Sequence, residues 1–292
     1  MISDKNIEFE KELESKSIEL TDQAGRNTLV LKDEQAFELA GTCGKVIHEI
    51  YTAALEKGIT PYRYIRNRNS ISTQDQLALF KSCVSVIGAG GLGGQAILNL
   101  TRIGIGHLVI VDHDVFDETN LNRQALSRND VIGKSKARTA VSTINSINPG
   151  VNAKAHHVRL DSSNGKSILK GSDIIVDALD NVSDRFILED IAREMDIPLV
   201  HGAVAGFEGQ VMTIFPGDTG FESLYGKDKE GDLSINNSVS ILGVPSITPA
   251  IIATLQTMEV IKILLKREPT LRNKLAYLDL DSLELKQFGF KK

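Results

Sequence analysis

Cysteine, basic tracts and long apolar runs are all scarce in this chain, and each scarcity excludes something. Among 292 residues there are two cysteines, Cys43 and Cys83. They form no Cys-x-x-Cys pair, so neither a zinc ribbon nor a disulfide framework is available. Both lie among apolar neighbours, which assigns them to packing. A formal net charge of −5, with no lysine–arginine tract, leaves no electrostatic footprint for nucleic acid. No apolar run approaches the length of a bilayer span, so no membrane association is expected. The opening stretch, MISDKNIEFEKELESK, is too charged for a signal peptide, and the expected location is cytoplasmic.

What the chain does have is a glycine-rich stretch from Val84 to Asp114. An apolar run (Val84, Val86, Ile87) meets Gly88, Gly90, Gly91 and Gly93. A helical pattern follows, and then a second apolar run from Leu108 to Val111, closed by Asp112. This reads as strand, turn, helix, strand. Gly88 permits the tight turn, Gly90 lets backbone N–H groups approach a phosphate, and Gly93 lets the helix pack closely on the strand. The helix N-terminus offers unpaired donors to an anion. Asp112 stands where a carboxylate accepts from ribose hydroxyls. A nucleotide site follows, but these letters do not separate NAD from ATP.

Residues 1–60 read as an N-terminal extension built on one amphipathic helix. Asp33 is its cap, and Ala36, Ala40, Cys43, Ile47, Ile50 and Ala54 fall near helical spacing. Arg63, Arg66 and Arg68 crowd before the glycine motif and, taken alone, read as a solvated basic turn. Asn120, Arg123 and Gln124 occupy a polar loop beyond Asp112, followed by a helix through Lys136. Val151–Val158, Asp173–Ala178 and Pro198–Ala203 read as strands, with helices over Ser162–Lys170 and Val182–Met195. Asp180 and Asn181 then lie at a strand's carboxyl end, where they can share a crevice with Asp112. Gly209–Phe215 follows the previous strand with no helix between. Residues 217–243 are polar and glycine-rich, Thr248–Leu265 is a long apolar-faced helix, and Leu275–Leu280 with Leu283–Phe288 forms a closing hairpin. The fold class is α/β: a Rossmann-like, mostly parallel sheet continued by antiparallel strands, with helices on both faces and an N-terminal helical extension.

A dinucleotide dehydrogenase needs the glycine turn and the ribose acid. It does not need the further clusters of arginine, lysine and aspartate seen here. A triphosphate calls for several cations around its oxygens and a carboxylate to hold magnesium. The combination fits nucleotidyl transfer better than hydride transfer. At this point the chain resembles the MoeB/ThiF/HesA family, relatives of the ubiquitin-activating enzymes. From roughly Tyr62 to Phe288 it carries RYIRN, GAGGLGG, VDHDVFDETNLNRQ, IGKSKA, DALDNVSDR, GAVAGFEGQV and GVPSITPAIIATLQTMEVIKILL in the family's order.

The resemblance implies that 61–292 is a ThiF/MoeB-type ATP-binding domain with 217–243 as its crossover loop. It implies that Gly88, Gly90, Gly91, Gly93 and Gln124 line the nucleotide, and that Asp112 holds the ribose. Arg123 and Lys136 would bind phosphates, braced by Asn120. Asp180 would coordinate magnesium, with Asn181 and Arg185 on the same wall. Arg66 matches an arginine that family dimers send into the neighbouring subunit's ATP site, which implies a homodimer. The implied reaction is adenylation, with ATP and Mg2+, of the C-terminal carboxylate of a small ubiquitin-like sulfur carrier ending in Gly-Gly. The chain lacks the paired cysteines of zinc-binding relatives, so no zinc site is expected. Residues 217–243 contain no cysteine, so sulfur transfer is left to a separate persulfide donor. Glu189 stands where relatives usually have asparagine. Two other readings stay open: a non-catalytic ATP-binding scaffold subunit, and an NAD-dependent oxidoreductase, for which His201 is the one candidate proton donor.

Overall fold

The structure, a computed structural model, describes residues 4–21, 25–67, 69–226 and 241–290. Its N-terminal segment holds more than the single helix expected. Helix α1 (Asp4–Lys16) precedes a hairpin of β1 (Ile18–Thr21) and β2 (Asn27–Leu31). Then come α2 (Asp33–Cys43), α3 (Ile47–Glu56) and β3 (Thr60–Pro61), the last pairing parallel with β2. The helix expected from Asp33 is therefore two helices. It breaks at Gly44, whose φ of 64° is the left-handed cap that glycine adopts without a Cβ penalty. Lys32, not Asp33, occupies the N-cap. Leu13, Leu39, Ile50 and Tyr51 form a core with Phe80 of α4 (Thr73–Lys81), so the apolar face of this segment docks on the rest of its own chain.

Beyond α4, apolar runs too short for helices alternate with amphipathic stretches. The order is β4 (Cys83–Ile87), α5 (Gly91–Ile103), β5 (His107–Val111), α6 (Lys136–Ile147), β6 (Asn152–His156), α7 (Gly165–Ile168), β7 (Ile174–Asp177), α8 (Val182–Glu194) and β8 (Leu199–Ala205). β9 (Glu208–Ile214), α9 (Glu222–Tyr225), α10 (Ile247–Leu264), β10 (Lys274–Asp279) and β11 (Glu284–Gly289) complete the described chain. The expected helix over Ser162–Lys170 shrinks to the four residues of α7. Asp161 Oδ1 accepts from the N–H groups of Ser163 and Asn164, taking donors that a longer helix would leave free.

Among the described residues one eight-stranded sheet runs β11-β10-β9-β8-β7-β4-β5-β6. Neighbours from β6 to β8 pair parallel, and β8 through β11 pair antiparallel. Only Gly206 and Phe207 separate β8 from β9, enough for a hairpin and far short of a parallel crossover. Side chains alternate across the sheet. Val84, Val86, Leu108 and Ile110 face a core with α5, α6 and α10, whereas Ile87, Val109 and Val111 face one with α8. The chain enters at β4, steps out to β5 and β6, and returns to β7 on the other side of β4. That reversal opens a crevice at the strands' carboxyl ends.

Helix α10 departs from the expected lack of long apolar runs. α10 has 18 residues at a mean hydropathy of 1.4, which meets the length and apolarity of a membrane span. Half of it is buried, and polar groups tie it to the sheet. Gln256 Nε2 donates to Asp177 O at 2.8 Å, and Glu259 Oε2 accepts from Thr213 Oγ1 at 3.0 Å. Within the 217–243 stretch, residues 227–240 lie outside the described residues.

Candidate nucleotide-binding site

The glycines of the turn answer to different constraints. Gly88 has a φ of 95°, and a Cβ on it would lie 2.5 Å from Ala178 O. A Cβ on Gly93 would lie 1.8 Å from Gly88 O. Both positions are closed to any side chain by the protein itself. At Gly90 the nearest atom to an added Cβ is Gln124 Nε2 at 3.6 Å, an ordinary contact. The absence of a side chain at Gly90 therefore leaves backbone open toward the crevice. Gly90 is also the N-cap of α5, with no side chain capping the helix, so its first N–H donors are available to an anion.

The crevice is a cavity of about 360 Å³. Gly88, Gly90 and Gly91 form one wall, Asp112, Arg123, Gln124 and Lys136 a second, and Asp180, Asn181 and Arg185 a third. Lys136 opens α6 with its side chain only 8% exposed, and its Nζ bonds Asp114 Oδ2 at 2.9 Å. Burial pulls the Asp114 carboxyl upward, but the hydrogen bond and charge of Lys136 outweigh it and hold its pKa below the ordinary range. Asp112 accepts from Ala89 N and from Asp114 N, each at 2.7 Å, which docks the end of β5 onto the glycine turn. Gln124 Oε1 is buried and has no hydrogen-bond partner among the described residues. A buried acceptor left unpaired costs about 1–3 kcal/mol, so this corner suits a ligand with an N–H or O–H donor. Asp180 is exposed, and one of its oxygens takes a single long bond, 3.3 Å, from Asn181 Nδ2. It retains the free oxygens a divalent cation needs.

Other expected residues are placed differently. Asn181 caps α8, its Oδ1 accepting from Asp184 N at 2.8 Å. Arg185 reaches the wall, with Nη2 donating to Leu179 O at 2.6 Å and Nη1 to Tyr225 Oη at 2.9 Å. Asn120 and Gly93 support the cavity from outside its lining. Asn120 O accepts from Gln124 N at 2.9 Å, and Asn120 Oδ1 accepts from Asp117 N at 3.1 Å, bracing the loop. Arg66 is exposed and does not reach the cavity of its own chain. Glu189 is no part of the wall either. Its carboxylate accepts from Phe221 N at 3.3 and 3.2 Å, tethering α9 to α8, and burial raises its pKa. His201 is fully buried, bonded through Nδ1 to Asp177 Oδ2 at 2.7 Å and absent from the lining. The hydride-transfer reading thereby loses its one candidate proton donor.

Among the lining residues that escape a reading of the sequence are Asp114, Arg159 and Tyr225. Arg159 Nη2 donates to Asp184 Oδ1 at 2.8 Å, and Tyr225 closes the cavity from α9. Asp114 carried a weak signal, two residues beyond Asp112, but its partner Lys136 is 22 residues away.

A mostly parallel sheet with a glycine turn, an uncapped helix N-terminus and a cation-lined crevice defines a Rossmann-like nucleotide-binding protein. The ThiF family profile matches residues 64–292, and the chain belongs to that family. The SAMP-activating enzyme E1 of Haloferax volcanii is 37% identical over 220 residues, which are 74% of this chain and 80% of that protein. The adenylyltransferase and sulfurtransferase MOCS3 of Arabidopsis thaliana is 35% identical over 260 residues, 87% of this chain and 55% of its own length. The chain thus spans about half the length of the MOCS3 relatives it matches. Among solved structures, E. coli MccB with ATP aligns at a TM-score of 0.67 and 20% identity, covering 88% of this chain and 82% of that one. PaaA aligns at 0.64 and 22% identity, covering 84% and 82%. These two likenesses show the fold.

Proposed function

We propose that this protein is an ATP-dependent adenylyltransferase that activates the C-terminal carboxylate of a small ubiquitin-like sulfur carrier ending in Gly-Gly. In this reading 61–292 is the catalytic unit and 1–60 an extension of it. One observation carries the reading: Lys136, Arg123, Asp180 and the open N-terminus of α5 converge on a single cavity. Two named relatives support it, the SAMP-activating enzyme and MOCS3. The cavity volume lies within the range of small-molecule sites. ATP suits the open backbone at Gly90 and the unpaired acceptor of Gln124.

The carrier's carboxylate oxygen attacks the α-phosphorus of ATP. The new O–P bond forms as the bond to the bridging oxygen of the β-phosphate breaks, and pyrophosphate leaves with that electron pair. A carboxylate is already an anion, so no general base is required. The obstacle is repulsion between carboxylate and triphosphate, which Arg123, Lys136 and the helix N-terminus lower. Asp114 holds the Lys136 ammonium ready at the cavity wall. Magnesium at Asp180 would neutralise charge on the triphosphate and the leaving pyrophosphate. Removing one such group lowers the rate by ~10²–10³. Arg66 completes the site from the second subunit of a homodimer. With no thiol in 217–243, the reaction ends at the acyl-adenylate, and a separate persulfide donor supplies sulfur.

Intact-mass measurement on Gly-Gly-ending carriers incubated with the enzyme and MgATP tests this. An AMP adduct on one carrier, with pyrophosphate released, is expected for the wild type, and none for Asp180→Ala. ATP bound tightly with no adduct on any carrier would establish the scaffold reading instead.

A further inference from the structure

Arg66 projects from a turn in which Arg63, Tyr64 and Asn67 are engaged by the rest of the chain. Tyr64 Oη accepts from Asn148 Nδ2 at 2.8 Å, and the ring packs on Gly104, where a Cβ would lie 2.7 Å away. Asn67 Nδ2 donates to Gln76 Oε1 at 3.0 Å. Arg63 donates through Nη1 to Ile147 O at 2.8 Å and through Nε to Asp33 Oδ1 at 3.2 Å, and a second contact joins Nη2 to Asp33 Oδ2. Arg66 itself is exposed, with no hydrogen bond or ion pair to another described residue. A guanidinium held out by a turn tied at these three residues is arranged to meet something outside its own chain.

Asp33 lies in the N-terminal segment, outside the residues matched by the family profile. Tyr51 Oη donates to Asp33 Oδ1 at 2.5 Å, and the Arg63 guanidinium lies 5.8 Å from the Tyr51 ring. Burial raises the Asp33 carboxyl's pKa, but the bonds from Arg63 and Tyr51 prevail and hold it below the ordinary range. The clamp is firmly seated. His48 Nδ1 pairs with Gly150 O at 2.8 Å, and a Cβ at Gly150 would lie 2.4 Å from Tyr51.

We propose that Asp33 is a positioning residue for Arg66: through the Asp33–Arg63 pair, the N-terminal segment holds the turn that presents Arg66 to the partner subunit's nucleotide. This rests on the reading that Arg66 works in trans. A bidentate carboxylate–guanidinium pair fixes orientation as well as distance, so a turn freed of it shifts. A shift of about 1 Å in a catalytic group can lower the rate by ~10²-fold.

Mixed dimers, purified through two different tags, test it by carrier-dependent ATP–pyrophosphate exchange. Asp33→Asn homodimers should stay folded, with a lower thermal midpoint, and keep ATP affinity while kcat falls by about ten- to a hundredfold. Arg66→Ala with Asp180→Ala subunits should recover about half the wild-type rate, since one of two symmetric sites is intact. Asp33→Asn with Asp180→Ala should recover it too, whereas Asp33→Asn with Arg66→Ala should not. A merely structural role would depress both Asp33→Asn pairings alike. Recovery of about half the rate in the Asp33→Asn with Arg66→Ala dimer would overturn the proposal. So would an unimpaired Asp33→Asn homodimer. Failure of the Arg66→Ala with Asp180→Ala control would instead remove the trans reading and this inference with it. Should Asp33→Asn not fold, Arg63→Lys, which keeps the charge and loses the fork, takes its place in the same pairings, and each result bears on the proposal in the same way.

Discussion

Two glycines three residues apart in the turn, Gly90 and Gly93, are glycine for unrelated reasons, and that difference can be measured. At Gly93 a Cβ would collide with the Gly88 carbonyl at 1.8 Å, inside the α5–β4 contact. Gly93→Ala should therefore lower the yield of folded protein or its thermal midpoint severely. At Gly90 a Cβ meets nothing closer than 3.6 Å, so Gly90→Ala should melt near the wild type yet bind ATP at least about tenfold more weakly, roughly 1.4 kcal/mol. Titration calorimetry beside a melting curve separates the two, and a reversed pattern would contradict the assignment. This part of the site was legible in the sequence because backbone sterics are local. The Asp114–Lys136 pair and the unpaired Gln124 acceptor were not, since each depends on which loops the sheet brings together. Arg185 shows the same limit. Its letter suits a phosphate wall, but each of its Nη groups already donates within the chain, to Leu179 O and Tyr225 Oη.

Helix α8 acts as a strut for α9. Arg185 and Glu189, four residues apart on one face, reach Tyr225 Oη and Phe221 N respectively. Glu189→Ala leaves the Phe221 N–H without its buried acceptor. Urea unfolding should show a loss of about 1–3 kcal/mol, with faster proteolysis near α9; an unchanged midpoint would show that the tether carries no stability. Beneath the same helix, burial lowers the His201 pKa, with the Asp177 hydrogen bond restoring part of it and the Arg185 charge lowering it further. The unfolded histidine titrates near ~6.5, so through that region the unfolded chain binds more protons than the native one. The stabilising contribution is complete above that value and is lost as pH falls toward the folded pKa. The thermal midpoint should drop between about pH 7.5 and 5, and the slope should flatten in His201→Gln; an equal slope in the variant would contradict it. Depressed carboxylates such as Asp184 add their loss only at lower pH. At this scale the sequence showed the alternation of strand and helix, because period and length are local. It did not show the break at Gly44, since apolar spacing continues across it and only the left-handed turn separates α2 from α3.

Across the whole molecule, the sheet order sets the chemistry. The reversal at β4 and β7 gathers the ends of β4, β5 and β7, and with them the glycine turn, Asp112 and Asp180. Strand order was readable only through the resemblance, but the sign of the charges around the crevice was readable directly. Those charges favour ATP over NAD, and the burial of His201 removes the group a hydride-transfer reading needed. The N-terminal segment extends the same logic by tying the Arg66 turn to Asp33. The most direct test of the central claim is ATP–pyrophosphate exchange with a panel of carriers ending in Gly-Gly. Exchange that requires one of those carriers and falls by ~10²–10³ in Asp180→Ala is the predicted result. Tight ATP binding with no exchange in any pairing, or exchange undiminished in Asp180→Ala, would contradict it.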